Sequence, residues 1–394
     1  MTDEIENKAL LPAGLHDLLP PRAAQESSTI AGIMDVFESF GYLQVKPPMV
    51  EFESTLAGNG ANGGGSLAGQ MFRLMDPVSQ LMMAVRADIT LQVARIAGSR
   101  LVEEARPLRL SYAGQILRVR GNQMRPERQF AQVGVELIGP DDVNADIEVV
   151  ILAAEALRAA GISEPTIDIN SPALVTNVLA GIELDTQATA DLRASLDRKD
   201  SDATEDILRQ HGVLFTDSAK ALCAMIETVG PAEDVADVLK SIDLPVGAKD
   251  EVVRLAAVVA GVRSALPDLS MTLDPVEYRG FEYQTGVSFT VFAEGVRGEL
   301  ARGGRYITEA GESATGVSLY MDSILRALPD AEPETRLYLP AGTTFARGQA
   351  LRADGWATVA GLQDVKDSEI EARRLECSHY LVDDKPVAID DPGN

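Results

Sequence analysis

The stretch that most limits what this chain can fold into is Gln129-Phe130-Ala131-Gln132-Val133-Gly134-Val135-Glu136-Leu137-Ile138-Gly139. Read with period two, Ala131, Val133, Val135 and Leu137 share one face, and Gln132, Gly134 and Glu136 share the other. The apolar face asks to be covered by helices. The other face sets an amide and a carboxylate either side of a residue without a side chain, which is how a strand leaves room for a small molecule. The run from Arg109 to Arg120 reads as its antiparallel partner, joined through a polar, arginine-rich loop over 121–128. On pattern alone, an ordinary half-exposed hairpin reads equally well.

A chain of 394 residues is long enough for two or three domains with a substantial core. Its 60 acidic residues outnumber 35 basic ones, for a net charge of −25, so it lacks the clustered Lys and Arg needed to neutralise phosphates over a large surface. Nucleic acid is therefore not an expected partner. Two cysteines, Cys223 and Cys377, make neither a disulfide framework nor a metal pair. His16, His211 and His379 are the only histidines, and none stands with a second ligand or a nucleophile, so no metal is expected. The chain begins with Asp3, Glu4 and Glu6, unlike a signal or transit peptide, and has no apolar run long enough to span a bilayer. The expectation is a soluble, cytoplasmic protein that neither spans nor binds a membrane.

Apolar spacing predicts a helix over 21–40 ended by Gly41, then a strand over 42–45. Gly58 to Gly69 is glycine-rich, but it lacks the Lys-Ser/Thr and strand–loop–helix context of a phosphate cradle and reads as a surface loop. A hairpin over 71–85 then delivers Arg86, Asp88 and Thr90. A long helix is predicted over 144–160, with Asp146 and Glu148 in a first turn that suits their charge. Residues 171–266 read as wholly helical, an insertion within a core made of 1–170 and 267–328. Strands follow over 269–273, 282–293, 299–302 and 315–320. Residues 335–394 alternate strand and helix as a small α/β module.

Strand, arginine, basic loop and then Gln-Phe-x-Gln-x-Gly-x-Glu resemble motif 2 of class II aminoacyl-tRNA synthetases in its histidyl-tRNA synthetase form. Three further pieces resemble the same family in the same order. Phe40-Gly41-Tyr42 with Pro47-Pro48 and Glu51 is similar to motif 1, and Val85-Arg86-Ala87-Asp88-Ile89-Thr90 to Leu-Arg-Pro-Glu-Gly-Thr. Arg279-Gly280-Phe281-Glu282-Tyr283 with Gly303-Gly304-Arg305-Tyr306 is similar to its histidine-recognition segments. The likeness runs from about Leu10 to Leu328. It implies an α+β fold with an antiparallel sheet flanked by helices, and a homodimer formed through the motif 1 region.

A histidine ligand offers an ammonium, a carboxylate and an imidazole. Gln132 and Glu136 suit the ammonium, with Asp88 and Thr90 beside them, and Arg118 suits the carboxylate. Glu282, Tyr283 and Tyr306 could line the imidazole end, with Arg279 nearby. By resemblance, Asp88, Thr90, Arg118, Gln132, Glu136, Arg279 and Tyr306 match positions that contact histidine in the family. Charge-assisted hydrogen bonds contribute roughly 1.5–3 kcal/mol each, so three or four would account for micromolar binding.

The departures from the synthetase pattern are as informative. Class II adenylation uses an arginine followed two residues later by a glutamate that holds the adenine amine. Here Arg118 is followed by Arg120, and Ser323 stands where motif 3 has an arginine against the triphosphate. Tyr320 occupies the place where a glycine would admit ATP. A retained pocket without the reacting groups resembles the regulatory subunits of ATP phosphoribosyltransferase, which are paralogues of histidyl-tRNA synthetase. That resemblance implies no catalysis in this chain, no cofactor, and assembly in a hetero-oligomer with the short catalytic subunit at the first step of histidine biosynthesis. It also implies support of that subunit's activity and feedback inhibition by L-histidine. The alternative is a divergent histidyl-tRNA synthetase that activates histidine with ATP.

Overall fold

The computed structural model describes residues 11–56, 68–122, 125–277, 284–331 and 334–389. Two compact units are present: residues 25–329 with the lead-in to 18, and residues 330–394 with 19–24. The predicted glycine-rich loop over 58–69 falls almost wholly outside the described residues, and so do Arg279, Glu282 and Tyr283.

The strands of the larger unit, in chain order, are β1 (Leu43–Gln44), β2 (Val50–Phe52), β3 (Arg73–Met75), β4 (Met82–Val85), β5 (Leu108–Leu117) and β6 (Gln129–Ile138). They continue as β7 (Thr166–Asn170), β8 (Gly230–Pro231), β9 (Ser270–Leu273), β10 (Gln284–Phe292), β11 (Ala301–Ile307) and β12 (Ser313–Tyr320). Nine of them make one sheet in the order β1-β5-β6-β12-β11-β10-β7-β9-β8, and β2-β4-β3 make a second. The six strands from β5 to β7 are antiparallel throughout. The sheet as a whole is mixed, because β1 runs parallel to β5 and β7 parallel to β9.

One face of this sheet is apolar, as the period of β6 predicts. Val133, Val135 and Leu137 are buried with Val317, Leu319, Phe289 and Ile169 against the helix Val143–Ala159, which contributes Val149, Leu152, Ala153 and Ala156. Asp142 caps that helix by accepting from the amide of Asn144. Asp146, one turn in, does more than complement the helix dipole. It receives Arg305 Nη2 at 2.8 Å, Thr315 Oγ1 at 2.8 Å and Arg254 Nη1 at 3.3 Å, so it pins β11, β12 and the helix Val246–Ala265 together. Arg305 therefore faces the helices, while Tyr306 beside it faces the opposite side of the sheet.

Between β7 and β9 lie six helices, from Pro172–Leu179 to Val246–Ala265. The region is not wholly helical as expected. Gly230–Pro231 adds a two-residue strand to the edge of the large sheet, too short to leave a periodic signal. Strand β11 runs on through Gly303 and Gly304 to Ile307, beyond the expected end at Arg302. The register of β10 shifts between Gln284 and Ser288, where Gly304 adopts φ +151°.

The smaller unit has β13 (Arg336–Leu339), β14 (Ala357–Ala360), β15 (His379–Val382) and β16 (Lys385–Ala388), in the order β14-β13-β15-β16, with helices Phe345–Ala353 and Ser368–Arg374. Strand β16 was not expected. It follows a turn in which Asp383 and Asp384 both take positive φ, 46° and 65°, a geometry usually signalled by Asn-Gly.

Candidate functional site

The polar face of the large sheet is built from alternate residues of four adjacent strands. Tyr112 on β5 lies opposite Gly134 on β6, Gly134 opposite Ser318 on β12, and Ser318 opposite Arg302 on β11. Glu136 lies opposite Gly316, which in turn lies opposite Gly304. The glycines are the floor that admits the polar side chains. A Cβ on Gly316 would sit 1.9 Å from Glu136 Oε2, and one on Gly134 would sit 2.5 Å from the Tyr112 hydroxyl. A cleft, part of it open to solvent, lies over this floor. Thr90, Glu136, Arg302, Tyr306 and Ser318 line it.

Glu136 is 1 % exposed. Tyr306 donates to its Oε2 at 2.8 Å, and Tyr112 reaches Oε1 at 3.5 Å. Burial pushes its carboxyl up to about 8. Hydrogen bonds from Tyr306, Thr90 and Tyr112 pull it down, and the negative charge of Asp88 adds to the rise. A carboxyl so held is a natural receptor for a cationic or N–H donor ligand.

The second group begins where β4 ends. The Asp88 carboxylate accepts from the Thr90 amide at 2.8 Å, turning the chain into helix Thr90–Ser99. Gln132 accepts from the Ile89 amide at 3.0 Å and donates to Asp88 Oδ2 at 3.0 Å and to Ser318 Oγ at 2.7 Å. Its orientation is therefore fixed by three partners. Ser318 meets the Tyr112 hydroxyl at 2.9 Å, which meets Thr90 Oγ1 at 3.3 Å, so one chain of hydroxyls links the Asp88 end to the Glu136 end.

Of the residues singled out from the sequence, Asp88, Thr90, Gln132, Glu136 and Tyr306 come together here. Arg118 sits one residue beyond β5, beside the site and not in its lining. Its Nε donates to the Ala87 carbonyl at 3.3 Å, and its guanidinium lies 5.3 Å from the Phe130 ring centre. Arg279 and Tyr283 lie outside the described residues. Tyr112, Ser318 and Arg302 were missed. Period two on β5 and β12 carried a signal for the first two, but only the strand register reveals which residues they face.

Next to this cleft the arginine-rich loop is tied to the end of β12 and the helix that follows it. Arg125 is 5 % exposed, its guanidinium 3.8 Å from the Tyr320 ring centre and 5.2 Å from that of Phe130. It pairs with Asp322 and Glu299, each at 3.3 Å. Arg326 holds Glu127 of the same loop at 2.8 Å. Among the described residues, no group of acidic, histidine or cysteine side chains is arranged to hold a metal ion, and no helix is long and apolar enough to cross a membrane.

Comparison with known proteins identifies the family and the fold. The family model for histidyl-tRNA synthetase matches residues 14–324. The ATP phosphoribosyltransferase regulatory subunit of Paramagnetospirillum magneticum is 50 % identical over 387 residues, covering 98 % of this chain and 100 % of that protein. That of Rhodospirillum centenum is 50 % identical over 394 residues, covering 99 % of this chain and 100 % of that one. Among solved structures, an ATP phosphoribosyltransferase regulatory subunit/histidyl-tRNA synthetase from Bacillus halodurans superposes with a TM-score of 0.80 at 24 % identity, covering 94 % of this chain and 96 % of that one. A chain of an ATP phosphoribosyl transferase complex from Thermotoga maritima gives 0.58 at 17 % identity, over 75 % of this chain and 97 % of that one. These two likenesses speak for the fold. The identities over nearly the whole length go further, and the chain belongs to the family of ATP phosphoribosyltransferase regulatory subunits, built on the histidyl-tRNA synthetase fold.

Proposed function

We propose that this chain senses histidine for ATP phosphoribosyltransferase. It binds L-histidine in the cleft over β6, performs no chemistry of its own, and passes the bound state to a separate catalytic subunit as feedback inhibition. The observation that carries the reading is the pairing of an open, acceptor-lined cleft with a filled neighbour. Asp88 with Gln132 offers a carboxylate to the ammonium. Glu136 with Tyr306, enclosed by the sheet, offers an acceptor and a hydroxyl to the imidazole, which draws Glu136 to the end where the sequence suggested Glu282, Tyr283 and Tyr306. Beside them, Arg125 stacks on Tyr320 and pairs with Asp322, in the region that the synthetase resemblance assigns to ATP. Arg120 and Ser323 remove the glutamate and arginine that adenylation uses.

The catalytic subunit is the partner implied by the names of the relatives. A homodimer through the motif 1 region is supported by exposed apolar side chains at Phe40, Leu43, Met49 and Phe52. A reducing cytoplasm suits Cys223 and Cys377, neither of which is in a disulfide.

The test is calorimetric titration of histidine into the purified chain, with Glu136→Ala as control and ATP–pyrophosphate exchange measured on the same preparation. Binding that Glu136→Ala abolishes, without exchange, is the expected result. Exchange above background would make the protein a divergent synthetase. Absence of binding, alone and with the catalytic subunit added, would reject the effector.

A further inference from the structure

A zwitterionic ligand brings a carboxylate as well as two groups that seek acceptors. The cleft is rich in acceptors, with Glu136 in its lining and Asp88 just behind Thr90. A ligand carboxylate placed there without a cation would meet the charge of Asp88 and a set of acceptors that cannot donate to it. Arg118, the residue that the sequence suggested for this duty, turns its Nε to the Ala87 carbonyl and its guanidinium plane to Phe130.

The described lining contains one cationic side chain, Arg302. Its position is fixed by the sheet. It lies on β11, opposite Ser318 of β12 and Thr290 of β10, and on the same face as Tyr306 four residues along the strand. Both flanking strands are hydrogen-bonded to β11, so the backbone beneath Arg302 is held on both sides, as a side chain that must meet a ligand in one geometry requires. Gly303 and Gly304 follow it, so the strand beside it carries no bulk over the cleft.

We propose that Arg302 binds the carboxylate of the amino-acid ligand and thereby makes the cleft select the amino acid over the corresponding amide or amine. This rests on the histidine reading above and adds the third recognition group to it. Asp88 and Gln132 take the ammonium, Glu136 and Tyr306 the imidazole, and Arg302 the carboxylate. A guanidinium matches a carboxylate in two parallel hydrogen bonds, and an ammonium in its place matches it less well.

The experiment is titration of L-histidine, L-histidinamide and histamine into the full chain, with and without the catalytic subunit. The proteins compared are the wild type and the variants Arg302→Gln, Arg302→Lys and Arg118→Gln. A charge-assisted hydrogen bond of about 1.5–3 kcal/mol corresponds to about ten- to a hundredfold in affinity. The wild type is expected to bind histidine more tightly than histidinamide by that factor. Arg302→Gln should weaken histidine by the same factor and leave histidinamide unchanged, which also shows that the variant is folded. Arg302→Lys should recover part of the loss, and Arg118→Gln should change the affinity for the two ligands alike, keeping the wild-type preference for histidine. Equal weakening of histidine and histidinamide by Arg302→Gln, or a histidine-selective loss in Arg118→Gln, overturns the assignment while the effector reading stands. A wild type that binds no histidine in either setting overturns both.

Discussion

Two carboxylates lie on opposite sides of the same sheet, and the protein treats them in opposite ways. Asp146, on the helix side, has a side chain only 2 % exposed and is met by Arg305, Arg254 and Thr315. Glu136, on the cleft side, is equally buried but is met by hydroxyls, from Tyr306 and Tyr112. Two guanidinium groups answer the first charge within the fold. The second carboxyl keeps its proton to about pH 8 and becomes an ion at neutral pH only if a cationic or N–H donor ligand arrives to hold it. A buried carboxylate supplied with cations holds a structure together; one supplied only with hydroxyls and opened to a cleft waits for a ligand.

The largest effect that would break this contrast concerns Asp146. Asp146→Ala or Arg305→Ala leaves its partners buried without their counter-charge and should lower the unfolding free energy by about 3–5 kcal/mol, read from urea denaturation. Histidine binding should fall only as far as the fold does. Glu136→Ala should do the reverse, weakening histidine by about a hundredfold or more while the urea midpoint at pH 8 stays close to the wild type. A Glu136 variant that unfolds as readily as the Asp146 variant would erase the distinction.

The next effect is on pH dependence. The folded, ligand-free chain keeps the Glu136 proton until about pH 8, whereas the unfolded chain releases it near 4.5. The unfolded state therefore binds fewer protons between these values, and this group's contribution to stability falls as pH rises from about 4.5 to about 8. Glu136→Gln lacks that dependence, so its thermal midpoint relative to the wild type should rise between pH 5 and pH 8. An offset independent of pH would show that burial does not raise this carboxyl. The smallest effect is that of Tyr306→Phe. It removes one hydrogen bond to Glu136, should weaken histidine by about 1 kcal/mol, and should carry the pH-dependent loss of stability to still higher pH.

The contrast was half legible in the sequence. Period two on β6 put Gln132 and Glu136 on a polar face before any fold was known, because alternation along a strand is a local property. Asp146 was legible only as an acidic residue in a first helical turn, since its partner Arg305 is 159 residues away along the chain. Tyr112 escaped because its role depends on the register that sets it opposite Gly134 and within reach of Ser318. Arg302 escaped because the expected strand stopped at it, whereas β11 runs on to Ile307 and its register sets Arg302 opposite Ser318 and on the face of Tyr306. Strand β16 escaped because its turn uses two aspartates where a glycine would have announced it.

The stacking of Arg125 on Tyr320 has a consequence for competition. A free nucleotide meets its site at whatever concentration the solution provides. Arg125 belongs to the chain, and a tethered group competes at an effective concentration of about millimolar or more, unaffected by dilution. Under the reading advanced here, a nucleotide entering that neighbouring region would have to displace a side chain that never leaves, together with its ion pairs to Asp322 and Glu299. The cleft proposed for the amino acid is in part open to solvent. Occupancy of the two regions would then follow different laws, one reporting ligand concentration and the other almost insensitive to it.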